Sequence, residues 1–148
     1  MKTLVATVFN SALILVVFFT YKFFYPIQLT VTVPKGYQGK ISLVLSNVDK
    51  DILTVDKNGI GYITKQTFDR NKAKPIVLEK DGTDVSDYCV GFNPSTFWAV
   101  GNSSYATEEN IEIQFLSFEL VPKDKKGEKQ YYSAGLMELV EKTKLYKK

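Results

Sequence analysis

There is no histidine anywhere in this chain of 148 residues. That removes the imidazole base on which Ser-His-Asp and Cys-His nucleophiles depend, together with the usual zinc ligands. Any acid–base chemistry is left to carboxylates, lysine or tyrosine. Cysteine occurs once, at Cys89, so no disulfide can close within the chain. A lone thiol between Tyr88 and Val90, with no imidazole to lower its pKa, reads as a small buried apolar residue. Neither GxxxxGK[ST] nor GxGxxG is present, which leaves phosphate cradling at a helix N-terminus without support. Positive charge is also scarce over most of the chain. Residues 122–148 hold eight lysines and four acids, a balance of +4, so the rest carries −1 of the total of +3. A nucleic-acid binder would cluster basic and aromatic residues on its folded part, and this one does not. The lysine excess sits in a C-terminal tail, where a solvated surface is the ordinary reading and attraction to anionic headgroups the sharper one.

Charge is missing in one more place. Residues 3–21, between Lys2 and Lys22, contain none. As a helix this run would extend roughly 28 Å, close to the ~30 Å hydrocarbon core of a bilayer. It is too long for the apolar core of a cleaved signal peptide, and no Ala-x-Ala-like site follows it. The expectation is an N-terminal transmembrane helix over residues 1–25. Tyr21, Lys22, Phe24 and Tyr25 would sit at the membrane interface, where amphipathic rings and snorkelling lysines are favoured. Pro26 ends the helix. With two residues ahead of the span, the domain after it is expected outside the cytoplasm, in the periplasm or at the cell surface.

Residues 26–122 read as strands. The segment 27–33 alternates strictly between apolar and polar residues, and 40–46 alternates again. The segments 52–55 and 60–64 flank Asp56-Lys57-Asn58-Gly59, an expected tight hairpin with positive φ at Asn58 and Gly59. The stretch 67–74 is polar and breaks the pattern, whereas 76–79 and 96–100 are short strands. Residues 110–121 form the longest strand candidate. Its apolar set shifts by one residue between Phe115 and Leu116, which predicts a β-bulge or a strand passing between sheets. About seven short strands without intervening helices predict a mainly β fold, an antiparallel β-sandwich of prealbumin-like or Ig-like type. Residues 123–148 read as a lysine-rich linker and a C-terminal amphipathic helix over about 130–146. Its stripe of Leu136, Leu139 and Val140 would pack on the domain or on a partner.

Few groups carry chemistry. The calcium-loop pattern placed on Asp56 and Asn58 puts Lys65 where a bidentate carboxylate belongs, which disqualifies it. Asp81, Asp84 and Asp87 could bring three carboxylates together for a hard cation, although a solvated loop is the bland reading. Asn102-Ser103-Ser104 fits the N-glycosylation triplet, meaningful only in a eukaryotic secretory setting. Phe97, Trp98 and Tyr105 form the densest aromatic stretch outside the anchor, either core or a platform for peptide or carbohydrate. Phe97 and Trp98 face opposite sides of a strand, so at least one should be core.

The turn Val33-Pro34-Lys35-Gly36-Tyr37-Gln38-Gly39, followed by Asn58-Gly59-Ile60-Gly61-Tyr62, resembles a group of uncharacterised bacterial exported domains. These are similar to prealbumin-like and carboxypeptidase-regulatory-like β-sandwiches. The resemblance spans about residues 29–68 and implies a sandwich with no enzymatic residues to carry over.

Taken together, the sequence predicts no catalytic site, no cofactor and no metal. It points to a membrane-tethered, exported binding or accessory module of the cell envelope. Its partners would be lipid, through the anchor, and a protein, with Phe97, Trp98, Tyr105, Leu136, Leu139 and Val140 as the partner surface. The alternatives are a structural subunit of a membrane assembly and a membrane-anchored inhibitor or immunity-type protein.

Overall fold

The computed structural model describes residues 13–17, 20, 26–70, 73–104, 112–128 and 135–146. Most of the expected anchor lies outside these residues, as do Tyr21, Lys22, Phe24, Tyr25 and Tyr105. Residues 13–17 and Thr20 are helical. No helix among the described residues is long and apolar enough to cross a membrane.

The domain is mainly β. Strands β1 (Thr30–Val33) and β4 (Ile76–Glu79) form one sheet. The other contains β2 (Gly39–Leu45), β3 (Ile60–Ile63), β5 (Cys89–Val90), β6 (Ala99–Ser104) and β7 (Glu112–Leu120). The domain also carries two short α-helices, α1 (Lys65–Arg70) and α2 (Leu136–Leu139), among the described residues. The expectation of purely antiparallel strands is overturned, because β1 runs parallel to β4 and β2 parallel to β3. Alternation in sequence reports which side chains face a core and carries no information about strand direction.

Segment 52–55, expected as a strand, works as a stitch between the sheets. Ile52 exchanges bonds with Tyr62 of β3 at 2.7 and 3.0 Å, whereas Leu53 and Val55 bond Thr32 of β1, both at 2.9 Å. The turn that follows also differs from the expected one. Gly59 alone takes positive φ (76°), and Asp56 closes the turn by accepting from the Asn58 and Ile60 amides at 2.8 Å each. The turn also carries the Gly59 N–H to Asp56 carbonyl bond at 3.0 Å and ends on a left-handed glycine, an arrangement that a carboxylate at the first position favours. Its geometry is tied to the preceding turn. The Tyr37 hydroxyl donates to the Lys40 carbonyl at 2.7 Å, and both atoms crowd the space where a side chain at Gly59 would start. Burial pushes the Tyr37 phenol up to about 12.

Strand β7 explains the phase shift. Its pairing with β2 runs without interruption from Gly39↔Leu120 to Val44↔Phe115, so there is no bulge. Instead the strand buries both faces. Leu116, Phe118 and Leu120 join a large apolar cluster with Val31, Val33, Ile41, Leu43 and Val77, shared by the two sheets. Ile113 and Phe115 join a second cluster on the opposite face, with Val44, Ile60, Tyr62, Leu136, Val140 and Leu145. A strand buried on both faces reads as a nearly continuous apolar run, and the break in alternation marks where its apolar residues pass from the second cluster to the first. On that second face Lys40 stands directly across from the buried Glu119, with its ammonium 5.0 Å above the Phe115 ring.

That second cover is the C-terminal segment, and it corrects two expectations. The long amphipathic helix is reduced, among the described residues, to the single turn of α2 and a 3₁₀ turn at Lys142–Lys144. Leu136 and Val140 are buried in the second cluster, and Leu139 is partly buried against it. They are core and not a free partner surface. The segment is fastened where Glu141 N–H donates to the Tyr62 hydroxyl and Asn47 N–H to the Lys144 carbonyl, each at 2.8 Å.

Two glycines separate steric crowding from dihedral strain. Gly59→Ala places a methyl group on Tyr37 and Lys40 and is expected to cost about 3 kcal/mol or more. Gly82→Ala, with φ +89° and nothing within 4 Å of the new carbon, should cost only ~1–2 kcal/mol. Thermal melts followed by circular dichroism check the difference.

Candidate functional site

Strands β5 and β6 lie end to end along one side of β7. Cys89 and Val90 pair with Leu120 and Glu119, and after an excursion the ladder resumes with Ala99 opposite Ser117. Residues 91–98 are that excursion, and they help to wall a cleft. Asn93 folds the loop, accepting at its side-chain oxygen from the Ser95 and Thr96 amides at 2.9 and 3.3 Å. Phe97 closes it. Its N–H donates to the Asn93 carbonyl at 2.8 Å, and its carbonyl accepts from Phe92 N–H at 3.0 Å. The closure holds Phe97 at φ 66°, a left-handed conformation that a bulky residue adopts only when its surroundings impose it. Gly91 is required opposite, because a side-chain carbon there would run into the Phe97 backbone.

The strained turn directs two rings inward. Trp98 is fully covered (2% exposed), stands edge-on to Phe118 at 5.1 Å, and donates from its indole N–H to the Ala73 carbonyl at 2.8 Å. Phe97 packs at 5.6 Å from Phe118 and 5.9 Å from Trp98, with the Lys74 ammonium 5.8 Å over its ring. Trp98 is therefore core, and Phe97 is partly buried against the same cluster. Neither presents the open flat face that a sugar-stacking platform needs.

What remains open lies beside them. A cleft of about 620 Å³ is bounded by Phe68 of α1, Phe92 and Asn93 of the excursion, and Val100 of β6, with Trp98 and Leu116 also in its lining. Val100 is 68% exposed. Asp69 at the rim is paired with Lys65 at 3.0 Å. Phe68 and Val100 escaped the sequence reading. Phe68 lies in a stretch whose polar composition predicts a break, yet Thr64 opens a helix there, its carbonyl accepting from Phe68 N–H at 2.9 Å. A threonine ahead of helix-compatible residues was the available signal.

The acidic residues do not converge. Asp81 accepts from Thr83 and pairs with Lys35 at 3.1 Å, and these partners hold its carboxyl down to about 2. Asp84 caps the Ser86 amide at 2.8 Å, which lowers its pKa, and Asp87 reaches Lys126 at 3.6 Å. Among the described residues no group of three His, Cys, Asp or Glu side chains is placed to hold a metal ion. Cys89 is buried, its thiol 3.9 Å from the Val85 carbonyl, and burial pushes its pKa up to about 12.

Compared with known proteins, the chain matches no family model and no curated protein. Among solved structures it is similar to a Bacillus anthracis protein provisionally described as a lipoprotein. The identity is 15% and the TM-score 0.38, over 72% of this chain and 81% of that one.

Two measurements probe this region. The Cys89 thiol, neutral far above the usual ~8.5 of a free cysteine, should resist Ellman's reagent in the native state and react fully in denaturant. Trp98→Phe leaves the Ala73 carbonyl without its donor and should lower stability by ~1–3 kcal/mol in urea titrations.

Proposed function

We propose that this chain is a membrane-tethered, exported accessory module of a bacterial cell envelope, built as a small β-sandwich, that acts by binding and has no catalytic centre of its own. The observation that carries the reading is the cleft between α1 and β6. Its wall is set by a strained loop, its lining is apolar at Phe68, Phe92 and Val100, and Asn93 and Thr96 supply polar groups. A concave apolar site with few polar groups is the usual form of a binding site. An apolar side chain on a protein segment suits it better than a sugar, given the covered Trp98 ring.

The tether draws support from the N-terminal helical residues. Leu13, Ile14, Leu15, Val16 and Val17 are between 55% and 69% exposed, so the domain does not cover them. The Thr20 hydroxyl turns back to the Val16 and Val17 carbonyls at 2.8 and 2.9 Å, which satisfies it without water. Apolar side chains left uncovered in this way suit lipid. The rival reading as an assembly subunit loses its stripe, since Leu136 and Val140 are spent in the core.

The expected behaviour is retention in carbonate-washed membranes, with a photo-activatable phenylalanine analogue at Phe92 giving an adduct with another envelope protein in intact cells. The same analogue at Lys57, on a remote turn, should give none. Release of the uncut chain by carbonate would end the tether reading, and equal labelling at both positions would end the cleft reading.

A further inference from the structure

The chain enters the domain beside the cleft. Two residues after Pro26, the Gln28 side chain donates to the Lys74 carbonyl at 3.2 Å, and the Leu29 carbonyl accepts from Ile76 N–H at 2.8 Å. The strap of residues 73–74 held by these bonds also braces the aromatic wall of the cleft. Its Ala73 carbonyl takes the Trp98 indole N–H at 2.8 Å, and the Lys74 ammonium stands 5.8 Å from the centre of the Phe97 ring. Ile27 packs against the same apolar cluster as Phe68 and Phe97. From this end β1 runs to the other, where Tyr37 ties the turn that follows it to Gly59. Cleft and point of entry thus share one end of the domain, and Lys57 marks the opposite one.

Distance is limited as well. Residues 21–25 separate Thr20 from Pro26, and six peptide steps cover at most ~22 Å whatever their path. With the uncharged run in the bilayer, the end that bears the cleft is held about that close to the hydrocarbon. A folded partner of about 100 residues, with a radius of gyration of ~13 Å, is wider than this gap. A single helical segment, ~10 Å across, is not.

We propose that the cleft lies at headgroup depth and takes the juxtamembrane segment of an integral protein in the same bilayer. The inference rests on the tether and cleft readings above and adds to them the depth of the contact and the class of partner. Segments that enter or leave a bilayer carry the amphipathic rings of its interfacial belt, with an apolar body and a polar tip. The cleft offers both kinds of surface. Phe68, Phe92 and Val100 meet the body, and Asn93, Thr96 and the rim carboxylate of Asp69 meet the tip. Two chains held in one bilayer also meet at a raised effective concentration, so a contact of one or two side chains is enough.

The test has two arms, both with the full chain. In phosphatidylcholine vesicles containing a lipid with a nitroxide on its headgroup, a fluorophore is attached at Ser95→Cys, an exposed position on the cleft loop. The buried Cys89 stays unlabelled. This fluorophore should be quenched about threefold more than the same one at Lys57→Cys, a domain's breadth away. Pro94→Cys, exposed on the same loop, repeats the measurement should Ser95→Cys fold poorly. In intact cells, the photo-activatable analogue at Phe92 should join a protein that carbonate does not extract, at a peptide bordering an apolar run of about 20 residues. Equal quenching at the two ends of the domain would overturn the proposal. So would an adduct with lipid, with the chain itself or with a protein that carbonate extracts. These failures differ from those of the underlying readings, which are release of this chain by carbonate and equal photo-labelling at Phe92 and Lys57.

Discussion

The ladder between β2 and β7 is the constraint on which the rest of the domain depends. It joins the two longest strands, and both faces of β7 are apolar. A sheet of that kind cannot stand with one side in water. It needs cover on both sides, and the chain supplies two unlike covers. The β1–β4 pair lies on one side, and an irregular C-terminal segment lies on the other. Stitching by residues 52–55 holds the first cover in register, and the hydrogen bonds at Tyr62 and Asn47 pin the second. Each fastening satisfies a backbone group that would otherwise be lost to the interior, where an unpaired polar group costs a few kcal/mol.

Much of this architecture was legible in the sequence, and its failures have physical reasons. β1, β2, β4 and β7 were found close to their true positions, because alternation reports faces and these strands have well-defined ones. Strand direction was not legible. The parallel β1–β4 and β2–β3 pairs arise from long connections whose path depends on tertiary packing. The phase shift at Phe115 and Leu116 predicts a bulge or a change of sheet, and neither occurs: β7 stays in one sheet with unbroken pairing and is buried on both faces. The C-terminal stripe of Leu136, Leu139 and Val140 carried helical spacing that a single helical turn satisfies as well as a long helix does.

The site was half legible. The aromatic cluster marked the right stretch of chain, and the rule that neighbouring strand residues face opposite sides required a core ring there. Phe97 does not obey strand geometry at all, since its left-handed backbone turns it toward the same cluster as Trp98. The true opening falls beside these rings, at Phe68 and Val100. Neither belongs to an aromatic or charged pattern, and the one local signal, Thr64 ahead of the helix, marks only Phe68.

One consequence follows from the excursion at residues 91–98. It interrupts the row of partners alongside β7 without disturbing the pairing before or after it. Its length and content can therefore vary while the framework keeps its register, provided a Gly91-like hinge and an inward anchor like Trp98 remain. That makes the loop a replaceable cassette, constrained at Gly91 and at the inward rings of Phe97 and Trp98 and free between them.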